Sequence, residues 1–323
     1  MENNRGSEWR KWDLHLHSPY TNINNKYGDI TDEEFIEKII KENIEVIGLT
    51  NYFNFSNEDF ELKEKLEQKG IVVFLNLELR LNNINDEGNA VDYHIIFSNE
   101  LSKEEIKNVL ANIKASIGNT TKCLNMLSKE EIKIGVVDLN ELHNILNNES
   151  LHIDNKYLTA FLSRGHGNAK CGKGRKFIPY EEITRKTDIV MHSSMFIENL
   201  NNDKNFWLGK TEQKNKYIKP LLQTSDAHNI SDIGVKKKSV EDKNKNKNNV
   251  YEENGKYYIN VPYFSWIKSD KTFNGLKQVI YEPNERVQYG SENPDNKPNY
   301  LVIDSIDIKM GIKYFLVVIL ILL

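Results

Sequence analysis

The sequence predicts an α/β fold with mainly parallel strands, on three observations. Short apolar runs of strand length alternate with stretches whose apolar residues recur at helical spacing. Two of those helical stretches open on a capping-box signal. Histidines and acids recur in or at the ends of the predicted strands, and in barrel folds those ends meet at one face.

The first strand carries Asp13-Leu14-His15-Leu16-His17-Ser18. Side chains alternate along a strand, so Asp13, His15 and His17 are expected on one face and Leu14 and Leu16 on the other. Thr31 to Glu34 has capping-box form and leads into Phe35, Ile36, Ile39 and Ile40, a helix to about Asn43. Glu45–Thr50 reads as a buried strand. Asn57 is expected to cap a second helix through Phe60, Leu62 and Leu66, stopped by Gly70. Ile71–Leu79 and Val91–Phe97 read as strands. Ser102 to Glu105 repeats the capping form before a helix near 103–115. Helices follow at Asp138–Asn147 and Pro179–Lys186. Strands are expected at Leu158–Ser163, Asp188–Ser193 and Leu221–Ser225. Residues 236–250 are rich in Lys and Asn with interspersed acids, and read as a solvated loop rather than a nucleic-acid contact. Tyr257–Ile267 is a strand-like aromatic run, and Lys271–Ile280 reads as a helix that Glu282 to Arg286 ends. The apolar run Tyr314–Leu323 is too short to cross a bilayer, which takes about 20 residues. It reads first as an altered or truncated end, then as a buried strand, and last as a membrane tail.

A chain of 323 residues can bury a large core, as one domain or one domain with appendages. The formal net charge of −4 argues against a protein built mainly to wrap nucleic acid. The two cysteines, Cys123 and Cys171, form no C-x-x-C pair. With an amino terminus that lacks an apolar core, this points to a reducing, cytoplasmic setting.

The chemistry-bearing residues are spread along the chain. Glu78 alternates with leucines in Leu75–Arg80, and an acid at the end of an apolar strand is costly unless it is paired or holds a cation. His94 sits among strand formers. Asp226 and His228 share a face after Leu221-Leu222. Taken jointly, His15, His17, Glu78, His94, Asp226 and His228 read as a polynuclear metal site. His143 and His152 read as structural.

The series Asp13-Leu14-His15-Leu16-His17-Ser18, Leu49-Thr50-Asn51-Tyr52, Asn76 to Arg80, Tyr93 to Phe97 and Ser225 to His228 resembles the PHP (polymerase and histidinol phosphatase) domain. The resemblance implies a distorted seven-stranded α/β barrel, here with a C-terminal extension, and a metal-dependent phosphoesterase. Trp12, Gly48 to Phe53, Trp266 to Lys268, Thr272 to Lys277 and Glu282 to Val287 further resemble the amino-terminal part of TrlF-type proteins, where a PHP domain precedes a P-loop ATPase. The implied organisation is a barrel core at 1–233, a low-complexity loop at 234–254, a part completing the PHP region at 255–297, and the start of an ATPase at 298–323. No G-x-x-x-x-G-K-[ST] occurs, so the ATPase would be missing or encoded separately.

By the same resemblance, His15, His17, Glu78 and Asp226 would hold a first metal. Glu78, His94 and His166 would hold a second, with His192 as the competitor of His166. The family's usual Asp-His pair for a third metal reads Asn51-Tyr52 here, and only His228 of those ligands remains. Two metals are therefore expected, of zinc, manganese or iron type. They would activate a hydroxide towards a phosphoester, with DNA or RNA as the substrate class the TrlF likeness suggests. Asp13 is expected to orient an imidazole, Tyr52 to touch substrate, and Arg164 and Lys173, in a Gly- and cation-rich segment, to bind phosphate. The alternative is a non-catalytic module, braced by metal, that regulates an ATPase partner.

Overall fold

Strand β1 (Trp9–His17) forms the seam of a nine-stranded sheet. After it come α1 (Asp32–Lys41), β2 (Ile44–Tyr52), α2 (Asn57–Gln68), β3 (Val72–Ile84), β4 (Ala90–Phe97) and α3 (Lys103–Asn112). A hairpin of β5 (Lys114–Ile117) and β6 (Thr120–Cys123) precedes α4 (Lys129–Ile134) and α5 (Leu139–Leu146). The chain continues through β7 (Tyr157–Arg164), α6 (Phe177–Lys186), β8 (Ile189–His192), α7 (Leu200–Trp207) and β9 (Leu221–Gln223). The last part holds β10 (Val235–Val240), β11 (Tyr251–Glu253), β12 (Lys256–Pro262), β13 (Phe264–Lys268), α8 (Phe273–Tyr281), α9 (Pro283–Arg286) and β14 (Val287–Gly290). The computed structural model describes residues 7–169, 177–211, 216–241 and 249–296. Lys173, Cys171, residues 242–248 and the run Tyr314–Leu323 lie outside the described residues.

The sheet order is β14-β13-β1-β2-β3-β4-β7-β8-β9. Neighbours from β1 to β3 and from β7 to β9 are parallel, and β4 runs antiparallel to both its partners. The seven strands from β1 to β9 curl into a distorted α/β barrel that nearly closes on itself. At the end towards which β1 runs, Leu16 bridges Ala227 in parallel, the His17 amide donates to Ala227 O at 3.2 Å, and the Asp226 amide donates to His15 O at 2.8 Å. Lower down, β13 fills the seam. It pairs with Trp9–Trp12 of β1, while Ser265 Oγ exchanges hydrogen bonds with the backbone of Gln223 on β9.

Two apolar layers follow from strand alternation. Leu14, Val46, Phe74, Ile96, Leu162 and Met191 pack together inside the barrel, and α8 seals the lower end by placing Phe273 against Phe74. Ile47, Leu49, Leu75 and Leu77 face outward onto the helices, meeting Phe35 and Ile39 of α1 and Leu62 and Leu66 of α2. The pairing of β1 with β2 slips at two places, the first between Lys11 and Trp12. Between Asp13 and Leu16 the pairing of β1 with β2 gains one residue, a β-bulge. Leu14 therefore joins the inner layer and Leu16 the outer one, instead of sharing a face. The bulge leans Leu14 O into the barrel, where Asn76 Nδ2 donates to it at 2.8 Å. Gly48 makes the space, since a Cβ there would stand 2.1 Å from Leu14 O.

The capping boxes at Thr31 and Ser102 form as expected, but Ser56, paired with Asp59, caps α2 in place of Asn57. The aromatic run at 257–267 divides at Tyr263 into β12 and β13, which lie in different sheets. The lysine-rich stretch is not all solvated loop. Val235–Val240 forms β10, pairs with β12, and buries Lys236 completely. The β5–β6 hairpin, α4 and α7 were not anticipated. Each is a short element with only one or two buried apolar residues, too few to show a period.

Gly48→Ala should lower stability by about 2 kcal/mol or more, because the added methyl meets fixed backbone rather than a flexible side chain. Urea unfolding measures it. A loss of under about 0.5 kcal/mol, the range of an ordinary surface change, would show that the bulge can shift at little cost.

Candidate metal centre

The bulge turns both histidines of β1 inward above the apolar layer. Each of His15, His17 and Glu78 is buried, and Asp226 reaches the same point from the turn after β9. Asp226 adopts φ 54°, an uncommon conformation outside glycine and one that clusters at functional sites.

The donor atoms of these four residues form a compact cluster. His15 Nε2 lies 3.1 Å from His17 Nε2, 3.2 Å from Glu78 Oε2 and 3.2 Å from Asp226 Oδ1. His17 Nε2 lies 3.1 Å from Glu78 Oε2 and 3.3 Å from Asp226 Oδ1. Donors on one tetrahedral ion stand about 1.6 times the bond length apart, roughly 3.2 Å for zinc–imidazole and zinc–carboxylate bonds, and each of these five separations matches that spacing. Two imidazoles and two carboxylates suit zinc, manganese or iron. The donor set therefore fits a divalent ion.

The far side of each ring is also held. His15 Nδ1 meets Ser193 Oγ at 3.1 Å, and that hydroxyl meets Thr224 Oγ1 at 2.9 Å. His17 Nδ1 meets Thr21 Oγ1 at 3.2 Å. Such partners fix ring orientation and leave Nε2 to a metal. His94 repeats the pattern. Its Nδ1 meets Asn76 Oδ1 at 3.2 Å, and its buried Nε2 has no hydrogen-bond partner. The His94 ring lies 4.5 Å from that of His15, and His94 pairs with Glu78 across β3 and β4. An orphaned imidazole nitrogen beside a carboxylate and a histidine fits a second ion that shares Glu78. Ser193, Thr21 and Asn76 were not singled out from sequence. Only Asn76 carries a signal there, since it shares the polar face of Glu78.

His228 stacks on His17 at 3.8 Å, and its Nε2 meets Tyr52 Oη at 3.2 Å. His17, Asp226 and His228 form a second group of close donors. The side chains of Asp226 and His228 are 23% and 14% exposed, whereas those of His15 and His17 are fully buried, so the site opens on the Asp226 side.

The charges are mutually dependent. Burial opposes the imidazolium of His17, but Asp226 and Glu78 outweigh it and raise its pKa to about 9. His15 shifts upward for the same reasons. Burial would raise Glu78, yet His15 and His17 hold it well below the usual carboxylate range. His94, buried and facing the cationic His15, falls to about 3.

Other expected site residues lie elsewhere. Asp13 orients no imidazole. The bulge separates its face from that of the histidines, and its Oδ1 accepts from the amides of Ser225 at 3.0 Å and His15 at 3.4 Å. Arg164 is committed to Asp203 of α7 through two bonds of 2.7 and 3.0 Å. The side chain of His166 is 75% exposed and lies 3.6 Å from Asp92. His192 turns to α7, 3.8 Å from Asp203, while its neighbour Ser193 faces the site. Asn51 binds Asp59 at 2.9 Å and accepts from the Asn22 amide, in a network that braces the loop after β1.

No family model and no curated protein matches the sequence. Solved structures that resemble the chain include a two-domain protein from Bacteroides vulgatus, described as containing a PHP-like metal-dependent phosphoesterase, with 12% identity over 88% of this chain and a TM-score of 0.47. The match spans 66% of that protein, just under two thirds of its length. A Bifidobacterium adolescentis protein described as a metal-dependent phosphoesterase shares 11% identity over 68% of this chain and 88% of its own, with a TM-score of 0.36. PsfC from Pseudomonas syringae shares 12% over 71% and 81%, with a TM-score of 0.40.

A metal held here would take the neutral ring of His17, which is protonated below about pH 9 in the metal-free pocket. Its ion pairs therefore stabilise the metal-free protein fully below about pH 6.5, and that stabilisation is lost as pH rises through about 9. Apparent affinity for zinc should rise from pH 7 to 9 and then level off. Calorimetry in buffers of different ionisation enthalpy should find about one proton or more released per ion at pH 7. Binding without proton release would contradict this electrostatic picture.

Proposed function

We propose that the chain is a PHP-type metal-dependent phosphoesterase that hydrolyses phosphoester bonds. The cluster of His15, His17, Glu78 and Asp226 at the barrel mouth carries this reading, with the unsatisfied Nε2 of His94 beside it. In this reading His15, His17, Glu78 and Asp226 hold one divalent ion, and Glu78 and His94 contribute to a second. When bound, such ions acidify water and neutralise the charge that builds on phosphoryl oxygens. Ser193, Thr21 and Asn76 keep the imidazoles aimed at the centre, so little reorganisation is needed as charge develops. His228 stands on the open side, where a substrate oxygen would arrive, with the buried Tyr52 hydroxyl held against its Nε2.

A nucleic-acid substrate is the finer reading and rests on the TrlF-type motifs in the sequence. No helix among the described residues is long and apolar enough to cross a membrane. The non-catalytic alternative has one observation in its favour. Asn51, standing where the PHP pattern supplies a third-site ligand, is spent on Asp59 and Asn22 and offers nothing to a metal. A barrel with metal and no turnover would then serve to bind an ATPase partner.

Elemental analysis followed by a panel of phosphomonoesters, phosphodiesters, DNA and RNA, each with manganese, zinc or iron, separates these readings. Chelation should abolish turnover and metal should restore it. His17→Ala should lower turnover about a hundredfold or more while the protein stays folded. Tightly held metal with no turnover on any substrate would remove hydrolysis and leave the bracing role.

A further inference from the structure

Lys236 is fully buried, although it lies in the lysine-rich stretch of the sequence. Its Nζ donates to Thr224 O at 2.6 Å and Ser194 O at 2.9 Å, and lies 3.5 Å from Ser225 O. The amide on the same peptide group as Thr224 O belongs to Ser225, and it donates to Asp13 Oδ1 at 3.0 Å. One peptide group is thus gripped at its oxygen by a buried ammonium and at its nitrogen by a buried carboxylate. The next amide, that of Asp226, is fixed to His15 O at 2.8 Å. Directly after these anchors Asp226 takes its left-handed backbone, at φ 54°. Burial lowers Lys236 to about 8, with Asp13 foremost among the carboxylates acting against it, so the ammonium keeps its proton near neutral pH.

We propose that Lys236 and Asp13 form a charged clamp on the Thr224–Ser225 peptide, which makes Lys236 a positioning residue for the Asp226 carboxylate. The inference rests on reading the His15, His17, Glu78 and Asp226 cluster as a metal centre. Charge-assisted bonds are the strong ones, and here two of opposite sign polarise a single peptide group. Lys236 also ties β10, and with it the small sheet of β10, β11 and β12, to the loop after β8 and the turn after β9. The outlying sheet thereby reports to the metal centre.

The test compares the chelator-treated wild type with Lys236→Met and Asp13→Ala. Zinc affinity is measured by calorimetry, and melting of the metal-free proteins is followed in parallel. Each variant should bind zinc about tenfold more weakly or worse, as expected when a group supporting a ligand is lost. The double variant should bind no more weakly than the poorer single one, since both side chains hold the same peptide. A lysine that only fills and braces the interior would lower the melting temperature and leave zinc affinity within about twofold of wild type, and that result overturns the clamp. Should Lys236→Met not fold, Asp13→Ala alone decides on the same thresholds. A wild type that binds no zinc, manganese or iron removes the metal reading and the clamp together, whereas equal binding by wild type and variants removes the clamp alone.

Discussion

One extra residue in β1 decides which side chains reach the mouth of the barrel. A regular strand would keep Leu14 and Leu16 on one face, and whichever face took the leucines would lose the histidines to the other. The bulge lets Leu14 plug the lower interior while His15 and His17 turn inward above it. That arrangement exposes the Leu14 carbonyl to the interior, where an unmet acceptor is costly. Asn76 meets it, and the missing side chain at Gly48 makes the room. Asn76 also holds His94 through its Oδ1, so one carboxamide serves both the backbone irregularity and a metal-type ligand.

The polar layer above the bulge is stable only as a set. Two carboxylates drawn together out of water repel, and each needs positive charge within a few ångströms. In the chain alone His15 and His17 supply it as imidazolium, which is why their pKa values rise while those of Glu78 and Asp226 fall. A divalent ion answers the same demand more fully and uses the same lone pairs. Each imidazole nitrogen already lies 3.1–3.3 Å from both carboxylates, so binding would substitute one positive charge for another at the same donor atoms.

Much of this could be read in the sequence because strand ends carry their chemistry in plain alternation. The residues alone point to His15, His17, Glu78, His94, Asp226 and His228 jointly, the resemblance to the PHP domain singles out His15, His17, Glu78 and Asp226, and the structure brings those four together. His94 falls beside them, with its nitrogen aimed away from any protein partner. The alternation of helix and strand gave the α/β class, and β4 alone among the barrel strands runs against its neighbours. What alternation could not reveal is where it breaks. A bulge leaves no mark in hydrophobic pattern, so Asp13 was placed with the histidines although its carboxylate serves the backbone of Ser225. Composition misled at Lys236 for a related reason. A lysine among lysines reads as solvated, and only the three carbonyls converging from two distant turns explain its burial. Arg164, legible as a phosphate ligand from its glycine-rich surroundings, has its fork filled by an aspartate on a helix that the pattern did not disclose.

The barrel seam joins stretches far apart in the chain, since the contact between Asp13 and Ser225 spans 212 residues. Closing so long a loop is entropically late work, and contacts of this kind slow the folding of any chain that depends on them. Asp226 lies on the far lip of that seam. A nascent or partly folded chain therefore holds His15 and His17 without their opposing acid, and cannot grip an ion in the mature manner. Metal binding of the kind proposed would then wait until the two ends of the barrel have met.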